Sequence, residues 1–336
     1  MSARNILITG VAGFIGASLA KRLCVENPNS KIIGIDNLND YYDVGLKKYR
    51  LGLLKDYDNF EFFKGDLANK AKVNCLFEKY RPQIVINLAA QPGARNSVDN
   101  PDAFIESNIV GFYNVIEACR HHPVRHFIFA SSSSVYGNNK ELPFCENCRT
   151  DSPVSLYGAT KKSNEVLAYA YSRLYNIPST GLRFFSVYGP AGRPDMAYFD
   201  FTNRFVNGEK IKLFNHGKCK RDFTYIDDIV EGLVRIINKT PRKKNHYKIY
   251  NIGNSTTKSL MSFVKILQEE LIEAGVLAKD FDFDAHMEFM PMQLGDTLGT
   301  FADVSELEKD FGFRPDTSLR DGLKKFAEWY KEYYML

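Results

Sequence analysis

A chain of 336 residues has room for one large domain or two unequal ones with a sizeable core. With 44% apolar and 25% charged residues it is an ordinary globular composition, which excludes a disordered or fibrous protein. A net charge of +4, from 44 basic and 40 acidic residues, is too mild for a nucleic-acid partner but suits an anionic small molecule. No apolar run approaches the roughly 20 residues of a membrane span, so no membrane partner is expected. The start, Met1-Ser2-Ala3-Arg4, leads into a strand pattern rather than a signal peptide, and a cytoplasmic location is expected.

Asn5 to Thr9 reads as a short buried strand running directly into Gly10-Val11-Ala12-Gly13-Phe14-Ile15-Gly16, with a helical pattern from there to Val25. Strand, glycine turn and helix form a phosphate-binding arrangement. The glycines permit the tight turn and the backbone's close approach, and the open N–H groups of the helix start favour a pyrophosphate. A second strand, Lys31 to Ile35, ends at Asp36, twenty residues after Gly16. An acid at that distance suits an adenosine ribose 2′-hydroxyl and repels the 2′-phosphate of NADP, so NAD is the expected cofactor. Strands Phe60 to Lys64, Ile84 to Leu88 and Arg125 to Ala130 alternate with helical runs near 69 to 79 and 102 to 120. Such alternation predicts an α/β, Rossmann-like, doubly wound parallel sheet. After Arg125 to Ala130 come Ser131-Ser132-Ser133-Ser134-Val135-Tyr136-Gly137, where hydroxyls can serve a turn or a substrate.

Cys145 and Cys148 make one C-x-x-C among six scattered cysteines, half a zinc site at most, and are read as loop thiols; no metal is expected. The run Ser155 to Leu174 is helical, and Tyr157 and Lys161 near its start project from one face. A cation ~4 Å from a phenol, at an effective dielectric of ~20, is worth roughly 4 kcal/mol, enough to make a phenolate usable near pH 7. Lys161 is the candidate cation.

Gly10, Gly13 and Gly16, spaced G-x-x-G-x-x-G, together with Tyr157 and Lys161 resemble the extended short-chain dehydrogenase/reductase superfamily. The resemblance covers Ile6 to about Phe326 and implies several roles. Ser132, Tyr157 and Lys161 would be catalytic. Asp36 with Asn37, Asp66 with Leu67, and Leu88-Ala89-Ala90-Gln91 would contact NAD, with Ser131 beside them, and Asn108 would fix the sheet near the site. Ser133 and Ser134 stand where 4,6-dehydratases carry Asp-Glu and UDP-xylose-forming decarboxylases carry a Glu at the second position, so the site is expected to oxidise and reduce without eliminating.

Beyond the strand Ser179 to Phe185, regular alternation fails, and the chain is divided into 1–185, a cofactor domain, and 186–336, a smaller substrate domain, with room for the chain to cross back between the two. Gly192-Arg193-Pro194-Asp195-Met196-Ala197, Asn39 to Val44 and Met292 to Asp296 resemble the UDP-glucuronate 4-epimerase branch, although Leu294 replaces the usual proline. Lys212-Leu213-Phe214 resembles a uracil-pairing strand, and Arg221 the arginine aimed at the diphosphate; its alternative is a surface pair with Asp222 or Asp227. Asp296, with Gln293, is assigned to the uridine end. Arg193, Ser186, Arg95 and Ser133 are the candidates for holding a uronic carboxylate, with Ser134 a further donor to the sugar. The function implied is C4 epimerisation of a UDP-sugar through a 4-keto intermediate with NAD. UDP-glucuronate is favoured, a UDP-N-acetylglucosamine or UDP-glucose epimerase is the alternative, and a silent NAD-binding module is the remote one. The superfamily's habit implies a homodimer. Further helices are expected near 226 to 239, 258 to 273 and 316 to 335.

Overall fold

The computed structural model describes residues 4–241, 246–291 and 299–336. In chain order the strands are β1 (Asn5–Thr9), β2 (Lys31–Asp36), β3 (Phe60–Lys64), β4 (Ile84–Asn87), β5 (His126–Ser132) and β6 (Ser179–Phe184). They continue with β7 (Ser186–Tyr188), β8 (Ile211–Leu213), β9 (Lys220–Tyr225), β10 (Tyr247–Ile252), β11 (Thr257–Ser259) and β12 (Met287–Phe289). Seven of them form one parallel sheet in the order β3-β2-β1-β4-β5-β6-β10, as the β-α alternation predicts. Its strands are short apolar runs because helices cover both faces. Ile6 and Ile8 point into one core and Leu7 into the other, all nearly inaccessible.

Strand order reverses between β1 and β4, and the crevice beyond their carboxyl ends is where open α/β sheets take their ligands. β10 crosses back from the later part of the chain. Its chain segment lies well past Ser186, yet it closes the edge of the main sheet by pairing Tyr247 to Ile252 with Ser179 to Phe184. The remaining strands make a three-stranded sheet, β11-β9-β7, and a pair, β12-β8, beside the crevice.

Two helices matter most for the site. The first, Phe14–Glu26, begins at Gly13 with no side-chain cap and no acid in its first turn, so its leading N–H groups stay open to an anion. The second, Leu156–Tyr175, is capped by Ser155, whose hydroxyl accepts from the Gly158 N–H at 3.1 Å. The helical stretch from Pro101 to His121 carries a π-turn at Glu106–Gly111, a local widening often found beside functional sites.

Candidate active site

Beyond β1 and β4 lies a cavity of about 360 Å³, in the range of small-molecule sites. Its floor is the glycine turn. Gly10 has φ +69 and a Cβ there would meet Ala89 backbone at 2.8 Å; one on Gly16 would meet the Gly10 carbonyl at 2.2 Å. The backbone is packed too closely at both places for any side chain, which leaves Phe14, Ile15 and Gly16 facing the cavity through their backbone. Asp36 closes one end. Its carboxylate accepts from the Ala12 N–H at 3.1 Å and the Leu38 N–H at 2.8 Å, which aims it across the turn. Asn37 donates to Asp66 at 2.8 Å, and Leu67, Leu88, Ala89 and Ala90 complete this wall. Among the described residues this cradle fits a dinucleotide: bare glycine backbone, an uncapped helix start and a carboxylate at the far end.

Gln91 and Asn108 lie behind the cavity rather than in it. Asn108, in the π-turn and 1% exposed, accepts from the Gln91 N–H at 2.7 Å and donates to the Gln91 carbonyl and the Thr160 hydroxyl, each at 3.0 Å. One amide thus pins the segment after β4 to the helix of Tyr157. Ser131 touches the cavity, but its hydroxyl donates to Glu165 at 2.6 Å. Glu165 in turn takes the fork of Arg183, 2.8 and 2.9 Å, in a buried ion pair beneath the site.

At the cavity's centre are Ser132, Tyr157 and Lys161. The Ser132 hydroxyl accepts from the Ser134 N–H at 3.1 Å and stands close enough to the Tyr157 phenol to pull its pKa down. The Tyr157 ring meets Phe104 edge-on at 6.2 Å. Lys161, 3% exposed, donates to the Ala130 carbonyl at 3.0 Å and stands 5.8 Å from the Tyr157 ring centroid. Without ligands, burial dominates both groups. Burial raises the Tyr157 pKa, outweighing the opposing pull of Ser132 and Arg193, and burial brings Lys161 down to about 8. Removal from water is the largest cause for both groups. Ser133, Ser134, Ser186 and Arg193 also line the cavity. Arg193, about a quarter exposed, grips Asp195 through two N–H groups, and Tyr41 donates to the same carboxylate at 3.0 Å.

Residues 6–253 match the description of the NAD dependent epimerase/dehydratase family. The chain belongs to this family. Family relatives similar along almost the whole chain include Protein CapI of Staphylococcus aureus, 47% identical over 98% of this chain and 99% of that protein. A probable UDP-glucuronate 4-epimerase of Rhizobium meliloti is 38% identical over 98% of this chain and 97% of that one. Among solved structures, the UDP-glucuronic acid 4-epimerase from Bacillus cereus, in complex with UDP-glucuronic acid and NAD, superposes with a TM-score of 0.88 at 31% identity, covering 98% of this chain and all of that one.

Among the described residues, the remaining candidates for this family member's substrate site stand outside the cavity. Arg95 is exposed, with its guanidinium 4.8 Å over the Phe214 ring. Lys212 points to solvent from β8 while Leu213 beside it is fully buried. Arg221, on β9, donates to the Lys220 carbonyl at 3.0 Å. Asp222 is inaccessible, its carboxylate taken by the N–H groups of Asn254, Ser255 and Ala302. Gln293 and Asp296 fall outside the described residues. Cys145 and Cys148 are free thiols, the Cys145 N–H donating to the Cys148 sulfur at 3.1 Å, and no metal-like cluster occurs among the described residues. Sequence reading assigned nothing to Tyr41, Asn39, Lys47, Gly93 or Met196, which all line the cavity. For Asn39 and Tyr41 the signal is the segment Asn39 to Val44, and for Met196 the string Gly192 to Ala197; Lys47 and Gly93 carry none.

Proposed function

We propose that this protein is an NAD-dependent UDP-sugar 4-epimerase acting on UDP-glucuronate to give UDP-galacturonate. The observation that carries the reading is the joint placement, in one cavity, of the Ser132–Tyr157–Lys161 group, the glycine cradle and Arg193. Likeness to UDP-glucuronate 4-epimerases along nearly the full chain supports the same substrate. When bound, NAD+ supplies the acceptor and then the donor for the C4 hydride. Tyr157 takes the proton of the C4 hydroxyl, with Ser132 holding that oxygen and relaying the proton. Lys161 is the cation that keeps the phenolate usable once ligands replace water around it. The 4-keto sugar then turns about its link to the diphosphate and accepts the hydride on its other face, and Tyr157 returns the proton. No acid stands at Ser133 or Ser134 to drive elimination. A β-keto acid loses carbon dioxide readily, so the carboxylate has to be restrained; Arg193 with Ser133 and Ser186 is the set for this.

The chain divides into a cofactor part, 1–185, and a substrate part, 186–336, with β10 crossing back. Exposed Val166, Tyr169 and Leu174 on one helix, and Ile105, Val110 and Tyr113 on its neighbour, support a homodimer through these helices. No helix among the described residues is long and apolar enough to cross a membrane, and a cytoplasmic enzyme supplying sugar for polysaccharide synthesis is the setting proposed.

The test is to incubate the purified protein, without added NAD, with UDP-glucuronate and separately with UDP-N-acetylglucosamine, following the sugar protons by NMR. Appearance of UDP-galacturonate is expected. Conversion of the acetamido sugar alone refutes the substrate, and conversion of neither refutes the activity.

A further inference from the structure

One deeply buried cation has no part in the chemistry above. Arg50, on the helix Val44–Gly52, is 1% exposed. Its hydrogen bonds go to neutral acceptors: Nε to the Ala191 carbonyl at 2.8 Å, Nη2 to the Gly192 carbonyl at 2.7 Å, and Nη1 to the Ala12 carbonyl at 3.1 Å and the Tyr42 hydroxyl at 2.6 Å. Among the described residues it forms no ion pair. A buried guanidinium without a carboxylate carries a desolvation cost that hydrogen bonds to carbonyls offset only in part.

Each acceptor sits at a junction. Ala12 lies inside the Gly10–Gly16 turn and donates its own N–H to Asp36, so its backbone is tied on both sides. Ala191 has φ +52, a left-handed conformation that a non-glycine residue keeps only when its surroundings hold it. Gly192 packs so tightly that a Cβ would fall 1.6 Å from the Tyr198 hydroxyl. Arg193 follows immediately; it grips Asp195, whose carboxylate also accepts from the Tyr41 hydroxyl, and that bond brings the loop back to the segment that leads into the helix of Arg50. One planar group therefore ties the turn beneath the dinucleotide cradle to the loop that presents Arg193.

We infer that Arg50 is a positioning residue with two effects: its buried charge favours the diphosphate of the dinucleotide above the Gly10–Gly16 turn, and its fork fixes the backbone that aims Arg193 at the sugar carboxylate. The second effect rests on the uronic-acid reading; the first needs only a dinucleotide. Lysine keeps the charge but offers a point donor on a flexible stem, which cannot hold two successive carbonyls as a fork does. The two effects therefore come apart on substitution.

Full-length Arg50→Lys and Arg50→Gln would be compared with the unaltered protein for NAD+ affinity, for UDP-glucuronate and UDP-glucose affinity, and for melting temperature. Arg50→Lys is expected to keep NAD+ affinity within about threefold while weakening UDP-glucuronate about tenfold and leaving UDP-glucose nearly unchanged. Arg50→Gln is expected to weaken NAD+ about tenfold as well. Should Arg50→Gln not fold, Tyr42→Phe loosens one corner of the fork and keeps the charge, and should lower uronate affinity with no change for NAD+. Equal weakening of all three ligands in step with a lowered melting temperature marks a merely structural arginine and overturns the inference, as does an Arg50→Lys protein indistinguishable from the original. If the unaltered protein itself does not distinguish UDP-glucuronate from UDP-glucose, the substrate reading has failed, and the NAD+ arm alone decides the role of the charge.

Discussion

Replacing Lys161 by Met separates what the lysine does in the reaction from what it costs the fold. The ammonium is 3% exposed, donates to the Ala130 carbonyl, and has its pKa brought by burial from 10.5 to about 8. At pH 7 that difference amounts to about 3 kcal/mol by which the charged folded state is disfavoured. Between pH 8 and 10.5 the unfolded chain binds more protons at this residue than the folded one, so the unaltered protein gains stability as pH rises. By pH 9 the penalty is down to about 2 kcal/mol, because the folded lysine has mostly given up its proton. Methionine has no proton to exchange. The stability of Lys161→Met relative to the unaltered protein should therefore fall by about 1 kcal/mol from pH 7 to pH 9, whatever the loss of the Ala130 bond contributes at both. Urea unfolding of the dinucleotide-free proteins at pH 7, 8 and 9 measures this directly, since all other groups titrate alike in the two. Turnover of Lys161→Met should drop by a factor of about 10² or more. Parallel stability curves across that pH range would refute the reasoning, because they would mean that the buried lysine does not titrate below its unfolded counterpart.

Gly16→Ala puts a methyl 2.2 Å from the Gly10 carbonyl, and the turn has to open; NAD+ affinity measured by titration should fall at least about tenfold. Arg183→Met takes the guanidinium fork from buried Glu165 and leaves it the Ser131 hydroxyl and Lys162 at 3.6 Å, and chemical unfolding should register a loss of about 3 kcal/mol. Arg193→Ala should weaken UDP-glucuronate by about tenfold or more and UDP-glucose by much less, read by competition binding; equal effects on the two sugars would remove Arg193 from the carboxylate. Val166→Glu with Tyr169→Glu, both at exposed positions of the Leu156–Tyr175 helix, should lower the mass in solution from dimer to monomer by light scattering.

The first part of the sheet was legible because strands buried on both faces are written as short continuous apolar runs, and N-I-L-I-T or I-V-I-N leaves little else to be. The glycine turn was legible for the opposite reason: Gly10 and Gly16 leave no room for a side chain, so the sequence has little freedom there. The expected helices near 69 to 79 and 155 to 174 arrive as Lys70–Tyr80 and Leu156–Tyr175. Relations between distant residues stayed out of reach. Nothing in Tyr247–Ile252 says that it pairs with Ser179–Phe184, and nothing in the sequence around Tyr41 says that its hydroxyl lies on Asp195, 154 residues later. Arg50 reads as one more basic residue on a polar helix, and only tertiary packing makes it a strut. The π-turn was hidden as well, since helical periodicity over 102 to 120 does not reveal one widened turn at Glu106–Gly111.

The late arrival of β10 bears on how the chain is made. The parallel sheet lacks its last edge strand until Ile252 has been synthesised, three quarters of the way along 336 residues. Until then β6, with a run of fully buried residues, has an open edge, the kind of surface that recruits other chains. A fragment ending near Phe185 carries the whole dinucleotide cradle yet leaves that edge uncovered, so it should aggregate rather than fold as a separate module. Because β10 closes the main sheet, exchanging the region after β6 is open to loop changes between β6 and β10 far more readily than to wholesale replacement.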